Sequence, residues 1–172
     1  MNYPHIIYNE PFHDHRGYFL ESFKAEEWKR KGIEFVTDNH AMSHKDVFRG
    51  LHYQTLFPQG KLITMMSGSV FDFCVDVRDT PTGFGEIHTF FLSAGNFQQL
   101  WIPPGFAHGY LATEDNTIMT YKATQYRHTA SEVVIRWDDP RLEINLPRMA
   151  CMSGRDKNGI YLKHAPRIRI GL

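Results

Sequence analysis

The amino-acid sequence predicts an all-β sandwich or barrel with a few short helices. Aromatic residues make up 14% of the 172 residues, and aromatic side chains pack well on the pleated surface of strands. Many short segments have strand character, and turn sequences such as those at 80–83 and 103–105 separate them. Many short strands with so little helix favour a sandwich or a barrel.

The one clear helix comes early in the chain, at about residues 25–31. Acidic residues crowd its first turn and basic residues its last, as the helix dipole favours, and Gly32 is placed to end it. The segment RGLHYQ at 49–54 is strand-like. The other predicted strands are at about 61–66, 69–78, 87–92, 98–102, 117–124 and 133–137.

The strand at 69–78 (SVFDFCVDVR) has the clearest alternation. Asp72, Asp76 and Arg78 lie on one face, while phenylalanine and valine side chains lie on the other, which is typical of a half-buried strand. The charged face either lines a ligand cavity inside a barrel or meets water. Alternation alone leaves both interpretations open.

Composition limits the classes of function. Lys plus Arg and Asp plus Glu both number 19, so the formal net charge is zero and no broad nucleic-acid or membrane surface is indicated. Cys74 and Cys151 form no disulfide framework, which fits a reducing cytoplasm. No apolar run approaches the length of a membrane span, and no change of composition marks a boundary. We expect a single cytoplasmic domain over residues 1–172.

Two of the ten histidines have a distinctive context. His52 follows a glycine in a strand-like segment, and a rigid turn at 103–107 is expected to aim His108. A metal site needs three or four close ligands, often a His-x-His pair with a carboxylate, and that pair occurs only at His13 and His15. Phosphate-loop and nucleophile-elbow motifs are absent. The sequence therefore favours acid–base chemistry over a metal centre.

Several motifs follow one another along nearly the whole chain. They are FHDHRGYFLESF (12–23), DNH (38–40), FRGLHYQ (48–54), PQGKL (58–62), VFDFCVDVR (70–78), LWIPPGFAHGY (100–110), YKATQY (121–126), WDDP (137–140) and MSGRD (152–156). In these motifs the chain resembles the dTDP-4-dehydrorhamnose 3,5-epimerase family. The resemblance implies a cupin-like jelly-roll β-barrel, a homodimer and no cofactor.

The resemblance also implies a mechanism. The substrate is a dTDP-linked 4-keto-6-deoxy sugar, whose C4 ketone acidifies the hydrogens on C3 and C5. His52 matches the base that removes a proton, and Asp156 matches its carboxylate partner. Lys61 matches the cation that faces the ketone oxygen, and Tyr121 matches the acid that returns the proton. Inversion requires base and acid on opposite sides of the sugar ring.

Binding roles follow from the same resemblance. Arg49 and His108 match contacts to the sugar and diphosphate, and Arg16 matches a further diphosphate contact. Phe19 and Glu21 match contacts to the nucleobase. In relatives this early segment reaches into the partner's site, which makes the dimer part of the active site.

Four further residues match positions that line the site: Asn39, Gln59, Asp76 and Tyr126. For Asp76 and Tyr126, a role as a buried hydrogen-bond partner is equally open. The chain departs from the family pattern at 144–147 (INLP), at 148–151 and at 153–156, where SGRD replaces a lysine-bearing form. The pairing of Asp156 with His52 is therefore the catalytic assignment that most needs a structural check.

Strand parity raises a further question. On a regular strand Gly50, His52 and Gln54 share one face while Arg49 points away, so Arg49 and His52 line one cavity only if the strand bulges. Gly50 is where a bulge costs least, and we predict irregular geometry there.

Three alternatives remain open at this stage. One is an epimerase that acts only at C3 or only at C5 of a related nucleotide sugar. Another is a metal-dependent cupin isomerase or dioxygenase, in which His52 and His108 share an ion. The third is a non-catalytic sugar-binding barrel, which has no need of Lys61 and Tyr121 beside the base.

Overall fold

The computed structural model describes residues 2–170, whose regular secondary structure consists mainly of short antiparallel strands. The helices are α1 (Ala25–Arg30) and α2 (Gly154–Lys157), with 3₁₀ helices at Ala94–Asn96, Thr129–Ser131 and Leu162–His164. None of the helices within residues 2–170 has the length and apolar character that a membrane crossing requires. The strands are β1 (His5–Tyr8), β2 (Phe12–Asp14), β3 (Gly17–Phe19), β4 (Thr37–Ser43), β5 (Phe48–Gln54), β6 (Lys61–Ser67), β7 (Ser69–Asp76), β8 (Ile87–Ser93), β9 (Gln98–Ile102), β10 (Phe106–Ala112), β11 (Thr117–Ala123) and β12 (Glu132–Val134).

The strands form two five-stranded sheets and one separate hairpin. The first sheet has the order β1-β9-β6-β11-β4, the second has the order β12-β5-β10-β7-β8, and β2 pairs with β3. The all-β, cupin-like prediction is confirmed. Among the described strands no pairing joins the two sheets, so the predicted jelly-roll barrel is open rather than closed.

The two sheets face each other across an apolar core. Ile63, Leu100 and Met119 of the first sheet pack with Val70 and Phe106 of the second. Alternation places these side chains on the inner face of each strand. The functional side chains described below lie on the same inner faces, where this core gives way to polar residues.

The outer face of the second sheet is covered by the C-terminal part of the chain. Phe73 and Val75 of β7 pack there against Leu142 and Leu162. The prediction of a half-buried β7 is therefore wrong, because both of its faces are covered. A pattern of alternation along one strand does not reveal which distant segment covers it.

The charged face of β7 lies inside the molecule. Asp72 and Asp76 are both fully buried, so the interpretation in which this face meets water is wrong. Asp76 accepts hydrogen bonds from the Arg78 guanidinium, with Nε 3.0 Å from Oδ1. Asp76 is thus a buried partner of Arg78, and the ion pair compensates for its burial.

The predicted helix is confirmed within one residue and covers the outer face of the first sheet. Trp28 of α1 is buried against Leu62 and Trp101. Gly32 follows the helix with φ +73°, a left-handed conformation that glycine adopts without steric cost.

Most of the predicted strands are present with small shifts at their ends. The predictions at 61–66, 87–92, 98–102 and 117–124 match β6, β8, β9 and β11, whereas the one at 133–137 is confined to Glu132–Val134. Strands β1 to β4 and β10 were not predicted. The turn ends at Gly105, and His108 lies within β10 rather than at the end of a turn.

Candidate active site

A cavity opens between the inner faces of the two sheets. Its volume is about 320 Å³, within the range of pockets that hold small molecules. Both sheets contribute side chains, and most of them are polar or charged. The lining residues are Thr37, Asn39, Ala41, Arg49, His52, Tyr53, Gln54, Gln59, Lys61, His108, Tyr110, Met119, Tyr121, Arg127, Glu132 and Arg155.

The predicted catalytic side chains reach this cavity from opposite walls. His52 on β5 lies opposite His108 on β10 in the register of the second sheet. Lys61 on β6 and Tyr121 on β11 come from the first sheet, where Tyr121 is paired with Ile63. The histidines therefore face the lysine and the tyrosine across the cavity.

Asp156 lies behind His52 and is only 4% exposed. The Nε2–H of His52 donates to Asp156 Oδ1 over 2.6 Å, so the contact that the sequence left in question is present. Burial raises the pKa of the Asp156 carboxyl, but the hydrogen bond and charge of His52 outweigh burial and hold that pKa below its ordinary value. Asp156 is thus an ionised carboxylate in direct contact with the His52 ring.

A second His–Asp pair lies beside the first. The Nε2–H of His108 donates to Asp72 Oδ2 over 2.7 Å, and both side chains are buried. Burial lowers the pKa of His108, although the charge of Asp72 opposes this effect. The sequence placed Asp72 on a charged face but did not predict this pairing, which joins two separate strands.

Burial shifts the pKa of both Lys61 and Tyr121. Burial lowers the pKa of the Lys61 ammonium, while the negative charge of Asp72 opposes the shift. Burial, assisted by the neighbouring Tyr110, raises the pKa of the Tyr121 phenol above its ordinary value. Tyr121 is therefore a neutral phenol near pH 7 and retains a proton that it can donate.

The predicted irregularity at Gly50 is confirmed. Gly50 has φ +135°, and the Gly50–Leu51 peptide bond is cis. The register of β5 against β10 shifts, because His108 lies opposite His52 while Tyr110 lies opposite Arg49. The extra residue in β5 turns Arg49 toward the same cavity as His52.

Replacing Gly50 by alanine is expected to lower the free energy of unfolding by about 3 kcal/mol, because the new methyl group meets backbone and a positive φ strains alanine. An alanine Cβ at this position lies 2.4 Å from Gly109 Cα. Denaturant unfolding measures the effect. Gly95→Ala is the matched control, since its Cβ meets nothing within 4 Å. Equal stability of the two variants contradicts the prediction.

Five predicted residues do not line the cavity of their own chain. Tyr126 is 68% exposed, and Asp76 pairs with Arg78 away from the cavity. Arg16 pairs with Asp14 on the exposed β2–β3 hairpin, and the side chain of Phe19 in that hairpin is 72% exposed. Glu21 lies just after the hairpin and pairs with Lys24. The roles predicted for Arg16, Phe19 and Glu21 therefore require a second chain.

Asn39 and Gln59 do line the cavity, as predicted. Several lining residues were not predicted, and three of them form one charged cluster. Arg127 and Arg155 both donate to Glu132 Oε2, with the closest nitrogen of each at 3.0 Å. Arg127 and Glu132 lie outside the family motifs, and Arg155 lies within MSGRD without any indication of its partner, so no motif predicts the cluster.

The described residues 2–170 contain no group of three or more His, Cys, Asp or Glu side chains that could hold a metal ion. His52 and His108 each direct a ring nitrogen at a carboxylate instead. The donor set that zinc or iron requires is therefore not assembled around them.

Comparison with known proteins identifies the family of this chain. A family model described as dTDP-4-dehydrorhamnose 3,5-epimerase matches residues 3–164. An enzyme of that name from Methanothermobacter thermautotrophicus is 40% identical over 167 residues, covering 94% of this chain and 90% of the relative.

Solved structures with the same fold include relatives of two kinds. One is dTDP-6-deoxy-D-glucose-3,5-epimerase from Legionella pneumophila in complex with dTDP-4-keto-L-rhamnose, with TM-score 0.92, 37% identity and coverage of 98% of this chain and 94% of that one. Another is ChmJ, a 3'-monoepimerase from Streptomyces bikiniensis in complex with dTDP-quinovose, with TM-score 0.85, 27% identity and coverage of 93% and 84%. The match extends over nearly all of the chain, which belongs to the dTDP-4-dehydrorhamnose 3,5-epimerase family.

Proposed function

We propose that this protein epimerises C3, C5 or both in a dTDP-linked 4-keto-6-deoxy-hexose, as a step of deoxysugar biosynthesis in the cytoplasm. The observation that supports this most directly is the position of His52 and Tyr121 on facing sheets, with Lys61 beside them. Inversion of a carbon needs a base on one side and an acid on the other. The cavity supplies both.

His52 acts as the base. Its Nε2–H donates to Asp156, which leaves the lone pair of the neutral ring at Nδ1. This nitrogen takes the proton from the carbon next to the ketone. The ionised Asp156 then stabilises the imidazolium that results.

Lys61 stabilises the enolate that forms when the proton leaves. The negative charge moves from carbon to the C4 oxygen, and an ammonium group in a partly buried cavity interacts with it strongly. Tyr121 then donates its phenolic proton to the opposite face of the same carbon. Its raised pKa keeps the phenol protonated until the enolate has formed.

The active unit in this proposal is a homodimer. Arg16, Phe19 and Glu21 lie outside the cavity of their own chain, and Phe12, Tyr18 and Phe19 expose aromatic surface on one hairpin. In the dimer this N-terminal segment supplies diphosphate and nucleobase contacts to the partner's cavity. Light scattering is expected to give about twice the 20.1 kDa chain mass, and a monomer at working concentration contradicts the dimer.

The proposed reaction is tested by incubating the protein with dTDP-4-keto-6-deoxyglucose in heavy water. We expect enzyme-dependent deuterium at C3, C5 or both, measured by NMR and mass spectrometry against a sample without enzyme. Label at both carbons identifies a two-centre epimerase, and label at one carbon identifies the single-centre alternative. If no label appears above the background, the result contradicts epimerisation of this substrate. The non-catalytic sugar-binding barrel is then the remaining alternative.

A further inference from the structure

The short segment 152–159 places Asp156 behind His52. Backbone hydrogen bonds attach both of its ends to the rest of the protein: Phe48 N donates to Cys151 O over 2.8 Å, and Ile160 N donates to Val134 O over 2.9 Å. Within the segment, α2 has only four residues, which is too few to hold its orientation by its own hydrogen bonds. Contacts to the neighbouring sheet must therefore fix it.

Two side-chain hydrogen bonds connect this segment to the rest of the described chain. One is the bond between His52 and Asp156, and the other runs from Arg155 Nη1 to Glu132 Oε2 over 3.0 Å. The two bonds start from consecutive residues of α2. They end on adjacent strands, because Glu132 lies on β12, which pairs with β5.

Glu132 is well suited to anchor this segment. Its side chain is only 10% exposed, and the same Oε2 also accepts from Arg127. Burial raises the pKa of Glu132, but hydrogen bonds from Arg127 and Arg155 outweigh burial and hold that pKa below its ordinary value. The anchor is therefore a carboxylate with two guanidinium partners and a fixed position on the sheet.

We propose that Arg155 and Glu132 are positioning residues that hold α2 so that Asp156 stays aligned with His52. The kinetic consequence rests on the proposed function, in which His52 is the base. The structural consequence does not, because the alignment of the two side chains is measurable without any reaction. Arg155 acts through Asp156 and needs no contact with the reacting carbon.

Arg155 also favours the charged form of Asp156. Burial raises the pKa of the Asp156 carboxyl, the contact with His52 lowers it, and the charge of Arg155 lowers it further. Loss of Arg155 is therefore expected both to loosen the carboxylate and to make it easier to protonate. Both changes weaken its support of His52.

Kinetics with the full-length protein give the first test. Arg155→Met is expected to lower kcat about 10–100-fold with a smaller change in KM, because a small misplacement of a catalytic partner slows the chemical step. Arg155→Lys, which keeps the charge, is expected to restore most of kcat. Arg127→Met removes a guanidinium from the same carboxylate oxygen but not from α2, so it is expected to lower kcat less.

Arg136→Met is the matched control for these variants. Arg136 pairs with Asp138 outside the cavity, and its removal is expected to leave kcat and KM unchanged. An increase in KM with unchanged kcat for Arg155→Met overturns the proposal, since that result assigns Arg155 to substrate binding.

Proton NMR of the free enzyme gives the second test. Imidazole N–H protons bonded to carboxylates are expected as separate downfield signals, one from His52 with Asp156 and one from His108 with Asp72. His52→Asn and His108→Asn assign them. Arg155→Met and Glu132→Gln are each expected to shift or broaden the His52 signal while the His108 signal stays, which also shows that the variant is folded.

Both signals at their wild-type positions and widths in Arg155→Met overturn the proposal. If the wild-type protein places no deuterium in the sugar but Arg155→Met still displaces the His52 signal alone, the proposed function fails while the positioning role stands. The two failures are therefore distinguishable.

Discussion

Replacement of His52 by asparagine is expected to lower kcat by about 10²–10⁴-fold, the usual contribution of a positioned general base. Asparagine preserves a polar side chain at the same place but has no nitrogen that takes up a proton at neutral pH. The hydrogen bond to Asp156 at 2.6 Å fixes the orientation of the His52 ring. Deuterium exchange at C3 and C5 measures the loss directly.

Variants of Asp156, the hydrogen-bond partner of His52, provide a more specific test. Asp156→Asn removes the carboxylate that orients His52, so it is also expected to lower kcat. Because the two residues act as one unit, the double variant is expected to be no slower than His52→Asn alone. His164→Asn, in a 3₁₀ helix away from the cavity, is the matched control and is expected to keep full activity. Near-normal exchange in His52→Asn contradicts its role as the base.

Strands were predictable where turn signals mark both of their ends in the sequence. Strands β6, β8, β9 and β11 are short segments separated by turn signals, and each was located within one residue. Strand β10 (FAHGYLA) was missed because all seven of its residues are buried, so no alternation separates its two faces. A strand covered on both sides has no polar face to mark it.

The packing of the C-terminal part on the second sheet was also not predictable from the sequence. Leu142 and Leu162 pack on Phe73 and Val75, although some 70 to 90 residues separate them along the chain. This C-terminal part has little regular structure, and periodicity therefore gives no indication of where it packs. The burial of β7 on both faces follows from those distant contacts, not from its own pattern.

The site residues likewise divide into those that motifs identify and those that only contacts between distant segments identify. His52, Lys61 and Tyr121 were identified through motifs, and the structure brings them to one cavity. Asp72 and Glu132 were not assigned roles, since each acts through a side-chain contact between separate strands or segments. Such contacts depend on which strands are neighbours in the sheet, and one sequence without that knowledge does not reveal them.

Gly50 is an intermediate case, because strand parity, combined with the roles that the family resemblance implies for Arg49 and His52, indicated a departure from regular geometry. Arg49 and His52 have the wrong parity to share a face, and the glycine between them is where a bulge costs least. The register shift between β5 and β10 is the outcome. A conflict between strand parity and implied function thus predicts a feature of the backbone.

Replacement of Lys61 by methionine is expected to lower kcat by about 10²–10³-fold, as removal of one group that stabilises an oxyanion does. Methionine has a similar length and no charge, so the enolate oxygen loses its cation while the cavity stays filled. Lys61→Arg keeps the charge and is expected to retain more activity than Lys61→Met. Steady-state kinetics with dTDP-4-keto-6-deoxyglucose measure both variants.

Lys122→Met is the matched control for this loss. Lys122 follows Tyr121 on β11 but points to the other face, where it pairs with exposed Asp38 over 2.6 Å. An exposed ion pair contributes at most about 1 kcal/mol, so this variant is expected to fold and to keep its activity. Equal activity of Lys61→Met and Lys122→Met contradicts the role of Lys61 in stabilising the enolate.

The pH dependence of the wild-type enzyme adds an independent check on Lys61. Burial lowers the pKa of its ammonium, so the charged form is lost at a lower pH than for a free lysine. Since the charged form stabilises the enolate, kcat is expected to fall as the pH rises. The midpoint of this fall is expected to lie below 10.5, the ordinary pKa of lysine. Lys61→Met has no ammonium at this position, so the decrease of its residual kcat at alkaline pH is expected to be absent or to occur at another pH. If the variant shows the same decrease at the same pH, another group is responsible for it, and Tyr121 is then the first residue to test.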